Sequence, residues 1–135
     1  MKLVINAMPM GKERPRTVRK GNKIIIYTPK KTEHLTNLIR DKVIKEKGYL
    51  GAIPLRVTII HYISRPKSAP KSRVYPTVRP DLDNLNKLVL DALQGFAYAD
   101  DGQIVTLVSA KRYTIDSPRI EVEIETKVEI DIFPR

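Results

Sequence analysis

At 135 residues, with 41% hydrophobic content and no cysteine, the chain is sized for one domain with a real core, and both a disulfide framework and a thiolate zinc site are excluded. Its net charge of +10, from 25 Lys and Arg against 15 Asp and Glu, suits a polyphosphate partner because neutralising phosphates releases condensed counterions. A solvated basic surface kept for solubility is the plainer alternative. No apolar run is long enough for a signal peptide or a bilayer span, so a soluble, cytoplasmic protein with no membrane contact is expected.

In chain order, "KLVINA" (2–7) reads as a short strand. "MPMGKERPRTVRKGNK" (8–23) reads as a Pro-, Gly- and Arg-rich loop, and "KIIIYT" (23–28) as a second strand. Thr28 is placed to cap a helix with Pro29 at its first position, Leu35, Leu38, Ile39 and Val43 on one face, and Gly48 as its stop. "LRVTIIHYIS" (55–64) is a strand that puts Leu55, Val57, Ile59, His61 and Ile63 on one face. His61 there reads as a core histidine rather than a ligand, and His34 as a surface one. Residues 65–80 carry four prolines among basic residues, which rules out helix or central strand and predicts a flexible basic loop. A second helix follows, with Leu85, Leu88, Val89, Ala92 and Leu93 in one apolar arc. After a turn at Gly102 come strands at 103–114 and 119–128, where Ile120, Val122 and Ile124 alternate with Glu121, Glu123 and Glu125. The order β-β-α-β-α-β-β predicts a single α+β domain over 1–135: a mixed or antiparallel β-sheet packed by two helices.

The charge is unevenly spread. Residues 1–31 carry nine Lys or Arg against Glu13 alone, residues 47–80 seven basic side chains and no acid, and Asp116 to Asp131 is mostly acidic. In this basic chain "RPDLDNLNKLVLDAL" (79–93) sets Asp81 and Asp83 side by side at a helix start. Asp83, Lys87 and Asp91 then recur along one stripe, and Asp100–Asp101 follows a short loop. A helix cap accounts for one of the first two acids, and i,i+4 pairing with Lys87 accounts for a stripe. A divalent cation accounts for more of them together. Two Asp on an extended segment, joined by a third from another element, present the hard oxygen donors that Mg²⁺ takes.

The block Asp81-x-Asp83-Asn84-x-x-Lys87, followed by Asp91-Ala92-Leu93 and Asp100-Asp101-x-Gln103, resembles the RusA-type Holliday junction resolvases of bacteria and their prophages. Upstream, "GKERPR" (11–16) and "YTPKKT" (27–32) are similar to the basic N-terminal segment of phage relatives, and the resemblance covers roughly residues 5–125. It implies a homodimeric, Mg²⁺-dependent endodeoxyribonuclease, with Mn²⁺ as a substitute. Such an enzyme would nick four-way DNA junctions symmetrically, leaving 5′-phosphate and 3′-hydroxyl ends, in DNA recombination and repair. It also implies Asp81, Asp83 and Asp101 as catalytic metal ligands and Lys87 as the catalytic lysine, with Asn84, Asp91 and Asp100 in support.

Arg14, Arg16, Arg19, Lys20, Lys67, Lys71, Arg73 and Arg79 are the candidates for phosphate contacts, which position DNA rather than read it. Tyr27, Tyr75 and Tyr98 are candidates to stack on exposed bases, with core packing the better reading for Tyr27. The competing functions are a non-catalytic prophage DNA-binding or architectural module, and a nuclease of broader taste for flaps or forks. Clustered aspartates beside DNA favour the resolvase, since they repel phosphate unless a metal intervenes.

Overall fold

Strict alternation builds the centre of the sheet. In a computed structural model that describes residues 1–129, strand β4 (Leu55–Ser64) buries Leu55, Val57, Ile59, His61 and Ile63, each in turn with a partly exposed neighbour. Three more strands complete a mixed sheet: β5 (Ile104–Thr114) runs parallel to β4, β6 (Arg119–Glu125) antiparallel to it, and β1 (Lys2–Ile5) antiparallel to β6, in the order β1-β6-β4-β5. The parallel step from β4 to β5 needs a crossover. It is made by the irregular segment 65–81 and helix α2 (Leu82–Leu93). Helix α1 (Lys30–Glu46) packs on α2 and β1.

Leu35, Ile39 and Val43 of α1, Leu88, Val89, Ala92 and Leu93 of α2, and the inward residues of the four strands form one core. Each fully buried aliphatic side chain there contributes about 1.5–3 kcal/mol of hydrophobic free energy. Glu121, Glu123 and Glu125 alternate with the buried Ile120, Val122 and Ile124, as the pattern predicts. Asp131, at the end of the predicted acidic tail, lies outside the described residues.

The structure corrects five local expectations. The loop predicted at 8–23 contains strand β2 (Arg16–Lys20), which pairs with β3 (Lys23–Tyr27) in a separate two-stranded sheet. Ile24, Ile26 and Tyr27 of that hairpin are exposed rather than in the core, so Tyr27 is not a packing residue. Helix α1 has Pro29, not Thr28, at its N-cap, and no side chain caps it. It ends at Lys47, which takes the left-handed conformation (φ 51°) and donates its N–H to Ile44 O, so the stop is not Gly48. Gly48 serves a different purpose, because a Cβ there would stand 2.4 Å from Met1 Cε. Finally, Leu38 stays partly exposed on α1, and the buried Thr32 takes a place in the inner face instead.

His61 meets α2 inside the core. Its Nε2 lies 2.8 Å from Asn86 Oδ1, which also accepts a hydrogen bond from the Ser109 hydroxyl at 2.8 Å. Nδ1 is buried without a partner. Burial lowers the His61 pKa, the Asn86 hydrogen bond raises it in part, and the nearby Lys111 charge lowers it further. The folded protein therefore holds the ring neutral while the unfolded chain takes up a proton near the ordinary value of about 6.5, and stability falls as pH drops below that point. Between about pH 7 and pH 5 the urea midpoint should fall, and the fall should be shallower in His61→Leu than in the unsubstituted protein.

Candidate functional site

Burial fixes how α2 is presented. With Leu85, Asn86, Leu88, Val89, Ala92 and Leu93 turned inward, Asp83 and Lys87 face solvent and Asp91 is half-buried. Asp81 occupies the N-cap position in an extended conformation (φ −70°, ψ 147°), yet its carboxylate caps nothing. The free N–H at this end is met from within the first turn, where Asp83 Oδ1 accepts from Asn84 N at 2.9 Å. Asp83, already inside the first turn, is therefore not a cap either, and Asp81 makes no carboxylate hydrogen bond among the described residues.

The other predicted acids lie at the opposite end of α2. Tyr98 is fully buried, and its hydroxyl donates to Asp101 Oδ1 at 2.7 Å while lying 3.3 Å from Leu90 O. Burial first, then the bond to Asp101, pushes the Tyr98 hydroxyl far above its ordinary range, so it stays a donor. A buried tyrosine cannot stack on a base, which removes Tyr98 from that role. Asp101 is itself shifted upward, chiefly by burial, against the downward pull of the Tyr98 bond, with Asp91 and Asp100 adding repulsion. Asp100 is committed elsewhere: its side chain accepts from Gly102 N at 2.8 Å, while Gln103 Oε1 accepts from Asp100 N at 2.7 Å, closing a capping box on the short 3₁₀ turn Asp101–Gln103.

One helix therefore separates two acidic groups. From the N-cap at Asp81 to Leu90, beside Asp101, the helical rise amounts to about 14 Å. No group of three or more His, Cys, Asp or Glu side chains among the described residues stands close enough to hold a metal ion. The donor chemistry of Asp81, Asp83 and Asp101 still fits a hard divalent cation: all are carboxylates, Asp81 is unengaged among the described residues, and Asp101 has one oxygen outside the Tyr98 bond.

Asp91 is neutralised by a different group from the one predicted. The Lys12 ammonium pairs with Asp91 Oδ2, and Lys87 forms no ion pair among the described residues. Lys12 N also donates to Asn84 O at 3.4 Å. Gly11 presses so close that a Cβ would stand 2.2 Å from Asn84 Nδ2. Residues 11–12 thus cross the exposed face of α2 like a strap.

Of the predicted DNA-binding residues, Arg14, Lys20, Lys67, Lys71 and Arg79 are exposed and form no ion pair among the described residues. Arg16 reaches Glu13 at 3.6 Å, and Arg19 donates to Gly21 O at 3.3 Å. Arg73 is half-buried, and its carbonyl accepts from Arg65, which also donates to Pro70 O. The 65–80 segment is irregular, as predicted, but tied at both ends. At the far end Lys111 donates to Val78 O and Pro80 O, both at 3.0 Å, around the cis Arg79–Pro80 peptide and directly before Asp81.

Lys111 and Asn86 are the structural supports that sequence reasoning passed over. Asn86 sits about 20° from Leu93 on the helical wheel, at the rim of the apolar arc, and a histidine on a buried strand face calls for such a partner.

A sequence profile described as endodeoxyribonuclease RusA matches residues 6–125 of this chain. The uncharacterized protein YqaN of Bacillus subtilis (strain 168) is 31% identical over 137 residues, covering 92% of this chain and 94% of its own length. The family match takes in the strap, the hairpin, α2 and the Asp100–Asp101 turn. Removing the Lys111 ammonium should free the approach to Asp81. In Lys111→Met, stability should fall by about 1–3 kcal/mol as charge-assisted bonds are lost. Amides of residues 77–82 should then exchange faster in hydrogen-exchange mass spectrometry, with those of β1 and β6 unchanged.

Proposed function

The chain belongs to the RusA endodeoxyribonuclease family, and from that premise we propose that it resolves four-way DNA junctions by paired, symmetric, Mg²⁺-dependent nicks. The observation that carries the reading is the exposed N-terminal end of α2. There Asp81 and Asp83 stand with Lys87 one turn further on, beneath a basic segment that has no acid of its own between residues 47 and 80.

In this reading Arg14, Arg16, Arg19, Lys20, Lys67, Lys71, Arg73 and Arg79 hold the phosphate chain, a contact that fixes register without reading bases. Asp81 and Asp83 provide the hard oxygen donors for Mg²⁺ or Mn²⁺. When bound, the ion would supply an acidified water and neutralise charge on the phosphate and the leaving oxygen. Lys87, exposed and without an ion pair among the described residues, adds positive charge where the transition state becomes more negative. Products with 5′-phosphate and 3′-hydroxyl ends follow if water attacks and the 3′ oxygen leaves.

Asp101 stands a helix length from Asp81 in one chain, so a site that uses all three carboxylates draws Asp101 from a second copy. A two-fold homodimer supplies that copy, and it supplies two such sites in the symmetry that paired cuts on a junction need. A non-catalytic DNA-binding module is the second reading, favoured by the separation of the acids along α2.

Cleavage separates the two. A synthetic four-way junction should be cut with Mg²⁺ and left whole in EDTA, with linear duplex largely spared. Asp83→Asn should reduce cutting by at least about 100-fold while junction binding is kept or tightened, since a charge facing phosphate is gone. Uncut junction in every divalent metal would leave the binding module standing. The composite site has its own assay. Asp83→Asn and Asp101→Asn proteins, each inactive alone, should regain nicking when mixed and allowed to exchange subunits; if the mixture stays dead, all three carboxylates do not act in one shared site.

A further inference from the structure

Beside Asp81 lies a cleft of about 740 Å³ whose lining, apart from Asp81 and Arg79, the proposed metal, lysine and phosphate contacts leave unused. Loop residues 75–79 form one wall and Ser109 to Arg112 of β5 the other, with Asp81 and Leu82 at its end. The volume lies within the range of sites that enclose a small organic group.

Three of its lining side chains are cationic (Arg79, Lys111 and Arg112) against the single carboxylate of Asp81. Lys111 uses two of its three ammonium protons on Val78 O and Pro80 O, which leaves one for a guest.

The aromatic in this cleft is poised differently from others in the protein. Tyr75 is 57% exposed, although Pro76 beside it is buried and Thr77 N closes a turn on Tyr75 O at 2.8 Å. An anchored backbone thus carries a bare ring. The Arg112 guanidinium faces that ring at 5.4 Å, a looser pair than Arg119 over Tyr62 at 3.8 Å. Arg112 is fixed from the other side by its bond to Lys111 O at 2.9 Å. An exposed aromatic opposite a loosely stacked guanidinium, flanked by free positive charge, suits a planar group that carries phosphate. Bases provide a π-face for such platforms whatever their identity.

We propose that this cleft takes one unpaired nucleotide of a DNA strand, its base between Tyr75 and Arg112 and its phosphate toward Lys111 and Arg79. The neighbouring phosphate of that strand then passes Asp81. The proposal rests on the junction-nuclease reading for its biological sense, but not for its test. Duplex DNA offers no such base, whereas the centre of a branched molecule does, so the cleft selects for unpaired structure next to the site of cutting.

The probe is a short single-stranded oligothymidylate carrying one 2-aminopurine, titrated in EDTA so that binding is read without cleavage. Binding should quench the 2-aminopurine through stacking. Tyr75→Phe should preserve affinity and quenching, and Tyr75→Ala should bind about tenfold more weakly, within the usual contribution of one stacked base. Loss of quenching in Tyr75→Ala supports the cleft even if the protein proves unable to cut a junction, in which event the nuclease reading fails alone. Undiminished affinity and quenching in Tyr75→Ala overturn the cleft, even if the protein cuts junctions well. Tyr75 is solvent-facing, so circular dichroism of the variant should match that of the unsubstituted protein.

Discussion

Burial of one arc of α2 against the sheet governs the arrangement of everything chemical in this protein. Leu85, Leu88, Val89, Ala92 and Leu93 leave the helix no freedom to rotate, since a turn of one residue would bring Asp83 or Lys87 into the core. The remaining circumference must then face outward, acids included. The parallel pairing of β4 and β5 requires a crossover, and α2 is its helical part, so the acidic stripe is a direct product of sheet topology.

Polar contacts inside this frame refine it. Asn86 joins His61 of β4 to Ser109 of β5 beneath the helix, so the crossover is fastened to both strands it connects. Lys111, the partner of His61 in the β4–β5 register, takes two carbonyls of the incoming segment. One layer therefore sets the helix axis, and the next sets the direction in which the chain delivers Asp81. Unpaired buried groups in such a low-dielectric setting are costly, which is why each of these side chains has so little latitude.

Much of the fold could be read from residue periodicity. β4 and β6 announce themselves by alternation, and α2 by its apolar arc, because in each the buried and exposed faces differ in hydrophobicity. β2 gives no such signal. "RTVRK" is exposed throughout and mostly charged, and it is a strand only because KIIIY lies across from it. The helix stop at Lys47 was hidden for a related reason: Gly48 has the conformational freedom, but the side chain of Met1 takes the space beside it. At the site, the sequence placed Asp83, Lys87 and Asp91 on the helix and Asp81 just before it, as the structure has them. It could not tell which acids would be engaged, because Lys12 and Tyr98 reach Asp91 and Asp101 through tertiary contacts that spacing does not encode.

The strap at Gly11 and Lys12 makes the fold carry its own counterion. With an ammonium already seated on Asp91 and Tyr98 donating to Asp101, half of the acidic helix is relieved of repulsion before any solute arrives. Repulsion among these acids is thereby offset by groups of the chain itself rather than by a bound metal. A chelator would leave this chain folded, unlike a zinc finger whose folding depends on the metal itself.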